Sequence, residues 1–220
     1  MSDSSSDSEV RARLREILSP RNSALLIVDM QRDFCEPGFG AELAGRDIQP
    51  ARELIPRISE LLTTARKCGA LVCHVVFDTR PTLTSSEVWI AQRRRSTYSA
   101  EDLCLHGSPG AEVISELTPQ HDEPLVRKHR YSAFKGTDLL MILRARRIHS
   151  CVVVGISTNV CVESTARDAF EHDHHVVIPR DAVASWNHRL HEATLETIGH
   201  RFGTVTTSRE ITDAWQGFAP

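Results

Sequence analysis

Short apolar runs rich in β-branched residues alternate with longer amphipathic segments along this chain. Four runs have the length and composition of buried strands: residues 24–29, 70–77, 151–155 and 175–179. Helical periodicity lies between them, at residues 51–67, 137–146 and 161–171. Strands that alternate with helices of this length require right-handed crossovers and a parallel sheet. We therefore predict an α/β fold, a three-layer sandwich with helices on both faces of the sheet.

The length and the first residues of the chain indicate a single folded domain. A chain of 220 residues with 40% hydrophobic residues is long enough to bury one substantial core. The opening MSDSSSDSEV is acidic and rich in serine, whereas a secretory signal would carry basic residues and then an apolar run. We expect residues 1–20 to be disordered or weakly ordered, residues 21–220 to form the domain, and the protein to be cytoplasmic.

Charge and hydropathy argue against two classes of partner. The formal net charge of -3 gives no basic surface of the kind that neutralises nucleic-acid phosphates. Apolar runs such as residues 151–156 fall far short of the roughly 20 residues that cross a bilayer. We predict that the chain binds neither nucleic acid nor membrane.

Six cysteines are scattered along the chain without CxxC pairs or the short spacings of a zinc cluster. They are expected to be reduced thiols. Most lone cysteines are small buried hydrophobic residues, so a cysteine needs a special setting to be a candidate nucleophile.

Cys161 has such a setting. A buried strand leads through the turn Gly155-Ile-Ser-Thr-Asn into an amphipathic helix, which places Cys161 at the amino end of that helix. Free backbone N–H groups and the helix dipole favour a thiolate there, so we expect a lowered pKa for Cys161. The same N–H groups would stabilise an oxyanion. The alternative is a buried structural cysteine.

Two further polar residues lie where strand-like runs end. Asp29 ends the apolar run of LLIVDMQRDF and is therefore expected at the carboxyl edge of the sheet, where ligands bind in open α/β folds. It is a candidate base, or else a cap for the following turn. Lys128 lies in the polar run VRKHRYSAF and is by default a solvated surface charge unless it meets an acid.

These three segments resemble the motif blocks of the isochorismatase-like cysteine hydrolases. The blocks are LLIVDMQRDF around Asp29, RKHRYSAFKGTDL around Lys128 and VVVGISTNVCVESTARDA around Cys161, and the third is highly specific. The resemblance covers residues 23–206 in order and spacing. It implies a Rossmann-like α/β/α sandwich with a mostly parallel sheet, assembled as a homo-oligomer, a dimer or tetramer.

The resemblance also implies roles for individual residues. Asp29, Lys128 and Cys161 would form the catalytic set, in which Asp29 takes the thiol proton and Cys161 attacks an amide carbon. A cis peptide bond between Ile156 and Ser157 is typical of the family. The backbone N–H groups of Ser157 and Cys161 would then form the oxyanion hole.

Comparison within the family narrows the expected substrate to a small linear amide or ureide. True isochorismatases lack the cysteine nucleophile, and nicotinamidases carry a metal-binding Asp-x-His where this chain reads Asp78-Thr79-Arg80. We therefore predict no metal and no cofactor, and His74, His172, His174 and His175 are not expected to bind a metal. The sequence around Cys161 is most similar to that of ureidoacrylate and biuret hydrolases.

A small polar ureide would suit a pocket that combines aromatic walls with amide and basic groups. The candidate substrate-binding residues are Phe34, Trp89, Tyr131 and Asn159, together with one of Arg93, Arg94 and Arg95. Phe34 and Trp89 are equally compatible with simple packing. The segment 78–119 lacks a clean period and is interpreted as a helix-and-loop excursion over the sheet edge.

Two other functions remain open. A catalytically silent relative would keep the fold and bind a metabolite or a partner through the same crevice, and it would have lost at least one of the three motif residues. A nicotinamidase-like enzyme or an N-carbamoyl amino acid amidase would keep the chemistry and change the substrate. Ammonia release from a panel of amides separates these alternatives.

Overall fold

The structure is a computed structural model, and it describes residues 3–84, 86–95 and 103–218. Side chains are described from residue 10 onward, except at residues 92–95. Seven strands form one sheet. In chain order they are β1 (Ser23–Val28), β2 (Leu71–Phe77), β3 (Leu125–Lys128), β4 (Ser150–Ile156), β5 (His175–Pro179), β6 (Val183–Ala184) and β7 (Gly203–Thr206).

The strand order is β3-β2-β1-β4-β5-β7, and the two-residue strand β6 pairs with β4 beyond the end of β5. Every pairing in this sheet is parallel. The carboxyl ends of β3, β2, β1 and β4 therefore lie along one edge, and polar residues that follow these strands are brought together there. The predicted α/β/α sandwich around a mostly parallel sheet is confirmed.

Helices cover both faces of the sheet. In chain order they are α1 (Asp3–Ile17), α2 (Arg32–Cys35), α3 (Gly40–Leu43), α4 (Gln49–Cys68), α5 (Pro81–Thr84), α6 (Glu87–Arg95), α7 (Leu139–Ala145), α8 (Glu163–Glu171), α9 (His188–Arg201) and α10 (Ser208–Gln216). The core is divided by the sheet. Leu25 and Ile27 of β1 belong to the cluster under α1, α4 and α10, whereas Leu26 and Val28 belong to the cluster under α7, α8 and α9.

The alternation within β1 explains why the sequence predicted this strand. A strand that is buried on both faces needs apolar side chains at every position, and all six residues of Ser23–Val28 are buried. The four predicted strands and the three predicted helices are all present, with ends that differ by at most a few residues. The helices α9 and α10 were not predicted. The short strands β6 and β7 were not predicted either, because they have too few residues to show a period.

The N-terminal segment contains a helix with buried apolar side chains in its last turn. Residues 3–17 form α1, and the side chains of Leu14, Ile17 and Leu18 are buried in the core. The helix packs against α10. An apolar stripe thus follows the polar opening and is buried against the rest of the fold, while the weakly ordered character expected for residues 1–20 stays a prediction.

Among the residues that the structure describes, none of the helices combines the length and the apolar character that a membrane crossing requires.

Replacement of Leu14 by alanine tests the docking of α1. Loss of a fully buried leucine side chain should lower the free energy of unfolding by about 2–4 kcal/mol, because the transfer energy is lost and a cavity remains. Urea denaturation followed by circular dichroism measures the change. Arg15→Ala, at an exposed position in the same turn, is the control and should change the stability by less than about 0.5 kcal/mol. Equal stabilities for the two variants would show that α1 is not docked.

Candidate active site

Three strand ends place the three motif residues. Asp29 directly follows β1, Lys128 is the last residue of β3, and Cys161 lies in the turn that follows β4. Because the strands are parallel and β1 lies between β2 and β4, all three residues reach the same edge of the sheet. This edge holds the candidate active site.

A close approach of β1 and β4 brings Asp29 near the turn that carries Cys161. Val28 and Gly155 are register partners, and a Cβ added to Gly155 would lie 2.1 Å from the Val28 carbonyl oxygen. Only glycine fits at this position, where φ is +108°. Asp29 itself has a φ of +55°, in the left-handed region that aspartate tolerates better than most residues.

The side chains of Asp29, Lys128 and Cys161 are in contact. Lys128 Nζ donates a hydrogen bond of 2.9 Å to Asp29 Oδ2 and lies 3.3 Å from Cys161 Sγ. All three residues are buried, and Lys128 has no exposed surface. The other carboxylate oxygen, Asp29 Oδ1, is buried and accepts no hydrogen bond from the described residues. The site therefore contains one unoccupied acceptor next to a thiol.

Lys128 reaches Asp29 across an intervening strand. Strand β2 separates β3 from β1, so the two backbones are about 10 Å apart. The lysine ammonium lies over the Phe77 ring of β2, 4.6 Å from its centroid, which adds a cation–π contact. The Gln31 side chain holds the backbone of Phe77 through two hydrogen bonds of 2.9 and 2.8 Å. A long, cationic side chain is needed to span this gap.

Burial and charge act in opposite directions on the ion pair. Burial raises the pKa of Asp29 above its usual range, and the positive charge of Lys128 opposes this increase. Burial alone would lower the pKa of Lys128, but the neighbouring Asp29 and Cys161 reverse its effect, and the pKa of Lys128 is raised. Lys128 therefore stays protonated and keeps its charge beside the carboxylate.

The pKa of Cys161 differs from the sequence-based expectation. Burial of the thiol raises this pKa, the negative charge of Asp29 raises it further, and Lys128 opposes both effects. The expectation of a lowered pKa from the helix amino end is therefore wrong, because it ignored burial and the nearby carboxylate. A raised pKa favours the neutral thiol, which would need a base before it could act as a nucleophile.

The turn that carries Cys161 begins with a cis peptide bond between Ile156 and Ser157. Residues Thr158–Val162 then form one π-helical turn, which continues into α8. The backbone carbonyl of Ser157 accepts hydrogen bonds from Val160 and Val162, at 3.0 and 3.2 Å. Both predicted oxyanion-hole residues, Ser157 and Cys161, thus belong to one short segment at the edge of the site.

Asn159 lies in the same turn, and its side chain is engaged. Its Oδ1 accepts hydrogen bonds from the hydroxyls of Ser157 and Ser185, at 3.1 and 2.5 Å. Thr158, the residue before it, has its hydroxyl 2.9 Å from Nδ1 of His191. Side chains of the segment after β6 and of α9 therefore hold the turn from outside.

The predicted aromatic residues occupy two places. Trp89 lies between Phe77 and Tyr131, with ring centroids 6.4 and 4.7 Å away, so it extends the aromatic surface that begins under Lys128. Phe34 instead packs against Trp186, the residue that follows Ser185 in the chain. Their ring centroids are 6.2 Å apart. Trp89 and Tyr131 form one group of rings, whereas the ring next to Phe34 is that of Trp186. The side chains of Arg93, Arg94 and Arg95 lie outside the described part.

Sequence reasoning missed several residues that shape the site. Phe77 and Gln31 support Lys128, and Ser185 bonds to Asn159. Gln31 follows Asp29 by two residues, so a polar residue that close to a strand-end acid was a usable signal. Ser185 lies outside the three motif blocks, and its sequence neighbours gave no signal.

Two potential metal ligands elsewhere, Asp78 and His74, contact other groups. Asp78, at the end of β2, is bonded to Arg80 and His106 at 2.9 and 3.0 Å. Nε2 of His74 lies 3.1 Å from Glu123. Within the described ranges, no cluster of three or more His, Cys, Asp or Glu side chains has a geometry suited to a metal ion.

Known proteins are similar to this chain in sequence and in fold. The family model described as the isochorismatase domain matches residues 23–210. Ureidoacrylate amidohydrolase RutB from Agrobacterium fabrum (strain C58 / ATCC 33970) is 33% identical, over 92% of this chain and 94% of the relative. A cysteine hydrolase structure from Pseudomonas syringae pv. phaseolicola 1448A is 29% identical, covers 91% of this chain and 95% of its own, and has a TM-score of 0.82.

More distant structures have other substrates in their names. N-carbamoylsarcosine amidase from Thermoplasma acidophilum is 26% identical, covers 85% of this chain and 96% of its own, and has a TM-score of 0.70. Nicotinamidase PncA from Bacillus subtilis is 28% identical, covers 84% and 99%, and has the same TM-score of 0.70. The fold is thus common to several amidohydrolases and does not select one substrate. With a family model that spans most of its length, this chain belongs to the isochorismatase family of hydrolases.

Proposed function

We propose that this protein is a cysteine amidohydrolase that cleaves the C–N bond of a small linear amide or ureide through a thioester intermediate. The observation that carries the proposal is the buried contact among Asp29, Lys128 and Cys161, in which a neutral thiol lies beside a carboxylate with a free oxygen. Burial of a carboxylate and an ammonium costs free energy because each charge is more stable in water, and buried charged groups beside a potential nucleophile are typical of functional sites.

The first half of the reaction forms the thioester. Asp29 accepts the Sγ–H proton, and Cys161 Sγ attacks the carbonyl carbon of the substrate. The resulting oxyanion accepts hydrogen bonds from the backbone N–H groups of Ser157 and Cys161. The tetrahedral intermediate then expels ammonia or an amine, which takes the proton from Asp29.

The second half regenerates the enzyme. Asp29, again ionised, takes a proton from a water molecule, and the hydroxide attacks the thioester carbon. The thiolate leaves and recovers a proton from Asp29. Lys128 supports both halves, because its charge favours the ionised carboxylate and the thiolate, 2.9 and 3.3 Å away.

The proposed substrate is similar to ureidoacrylate or biuret. Support comes from the relative named as a ureidoacrylate amidohydrolase and from a site that combines an aromatic surface with an amide side chain. Trp89 and Tyr131 would form one wall, with Phe34 and Asn159 contributing at the other side. The indole N–H of Trp89 is buried with no acceptor among the described residues, which makes it a candidate donor to substrate.

Individual side chains argue against the alternative functions. A nicotinamidase-like activity is disfavoured because Asp78 is already bonded to Arg80 and His106. An N-carbamoyl amino acid amidase differs only in the substrate and is tested by the same panel. A catalytically silent relative is disfavoured because all three motif residues are retained and lie in contact. Assembly into a homo-oligomer is a prediction from the family.

Ammonia release from a substrate panel tests the chemistry and the substrate together. The panel contains ureidoacrylate, biuret, N-carbamoyl amino acids and nicotinamide, and we expect the largest kcat/KM for ureidoacrylate or biuret. Cys161→Ala should lower kcat by at least about 1,000-fold, because no other group forms the thioester. Cys151→Ala is the matched control, since this thiol is buried in β4 away from the site, and it should keep most of the activity.

Two results would contradict the proposal. Absence of ammonia release by the wild-type protein across the panel favours a silent, metabolite-binding relative. Retention of activity by Cys161→Ala excludes a cysteine nucleophile. Trapping of an acyl adduct on Cys161, detected by intact-mass spectrometry after acid quench, is the positive result expected of the thioester pathway.

Lys128→Met tests the support that the ammonium gives to Asp29. Burial raises the pKa of Asp29 and Lys128 opposes the increase, so removal of the charge should raise this pKa further. The acid limb of the kcat/KM profile should therefore move to higher pH, with kcat at least about 100-fold lower.

The control for this variant is Arg127→Met, at the neighbouring exposed position of β3. It removes the same charge from the same strand without touching the site, so its pH profile should match that of the wild type. An unchanged acid limb in Lys128→Met would show that Lys128 does not set the pKa of the base.

A further inference from the structure

A cluster of three polar side chains joins the turn that carries Cys161 to the segment after β6. The cluster consists of Ser157, Asn159 and Ser185. The Ser185 hydroxyl lies 2.5 Å from Asn159 Oδ1 and 3.2 Å from the Ser157 hydroxyl, and the Ser157 hydroxyl lies 3.1 Å from Asn159 Oδ1. Ser185 is outside the three motif blocks and has no part in the mechanism described above.

The hydrogen-bond lengths indicate which atom of the Asn159 amide faces the two serines. The Ser185 oxygen already accepts a hydrogen bond from the backbone N–H of Asn187, at 3.1 Å. The Ser185 hydroxyl also has one proton to donate, and its 2.5 Å separation from Asn159 fits an O–H···O hydrogen bond but is too short for N–H···O, so the Asn159 atom that faces it is the acceptor Oδ1. With Oδ1 facing the two serines, the Nδ2 group is on the other side of the amide plane.

The Asn159 Nδ2 group is a free donor. It has no hydrogen-bond partner among the described residues, and it is not among the buried polar atoms that lack one, so it is accessible to solvent. Asn159 lies two residues before Cys161 in the same turn. The free donor therefore belongs to the same turn as the proposed nucleophile.

We propose that Ser185 is a positioning residue that holds the Asn159 amide with its N–H donors toward the substrate. The role deepens the proposed amidohydrolase function and rests on it. An amide can rotate by half a turn at little cost in shape, and the flipped form would present Oδ1 to the substrate. Two acceptor oxygens would then face each other, so ureides and carboxylate-bearing amides would bind more weakly.

A double-mutant cycle on Ser185 and Asn159 tests this role. If Ser185 acts through Asn159, then Ser185→Ala and Asn159→Ala should each raise KM for the preferred ureide by about 10-fold, roughly the value of one hydrogen bond. kcat should change by less than about 3-fold. The double variant should be no worse than Asn159→Ala alone, because both substitutions remove one interaction.

Two further variants keep the result interpretable. Ser185→Thr retains the hydroxyl donor and should keep KM within about 3-fold of the wild type. Ser115→Ala is the matched control at a surface serine whose hydroxyl bonds only to Glu116 among the described residues, and its kinetics should not change.

The outcomes are separable from those of the proposed function. A KM that multiplies across the two substitutions, or a fall in kcat and melting temperature with KM unchanged, overturns the positioning role. If the wild-type protein releases no ammonia, the proposed function fails. The same double-mutant cycle is then measured with the rate at which iodoacetamide alkylates Cys161, because iodoacetamide is itself a primary amide. Peptide mass spectrometry should then show a rate at least about 3-fold lower in Ser185→Ala and no further loss in the double variant, and equal rates overturn the role.

Discussion

The buried ion pair between Lys128 and Asp29 is the interaction on which the site depends. An ammonium without exposed surface is tolerated only because a carboxylate lies 2.9 Å away, and removal of either partner leaves an uncompensated buried charge. The pair also fixes the chemistry next to it. Lys128 contacts Sγ of Cys161 at 3.3 Å, so one cation serves the proposed base and the proposed nucleophile.

The sheet makes this pair possible, and the pair explains several features of the sheet edge. Strand β2 separates Lys128 from Asp29, and its last residue, Phe77, lies under the ammonium. Gly155 lets β4 approach the end of β1 closely enough for Cys161 to join them. Support from outside the motif blocks comes from Gln31, which holds Phe77, and from Ser185, which holds Asn159.

The electrostatics of Cys161 are those of a thiol activated only when a base acts on it. A cysteine at a helix amino end is expected to ionise easily, but burial and Asp29 outweigh that effect here. In the proposed mechanism the proton moves to Asp29 as the bond to carbon forms. Such a site protects the cysteine from unwanted reactions in the resting state, because the thiolate is the reactive form.

Sequence and tertiary structure each decided a distinct part of this protein. Local periodicity determined the strands β1, β2, β4 and β5 and hence the α/β/α sandwich. Strands that are buried on both faces appear in the sequence as continuous apolar runs, which can be recognised without knowledge of the tertiary structure. The motif blocks likewise singled out Asp29, Lys128 and Cys161.

Contacts between distant segments decided the rest. The docking of α1 through Leu14, the support of Lys128 by Phe77, the raised pKa of Cys161 and the link from Ser185 to Asn159 join residues far apart in the chain. Burial and charge proximity are properties of the assembled core, where the dielectric and the neighbours of each group are set. No local pattern contains them, so only the tertiary structure determined how this site is supported.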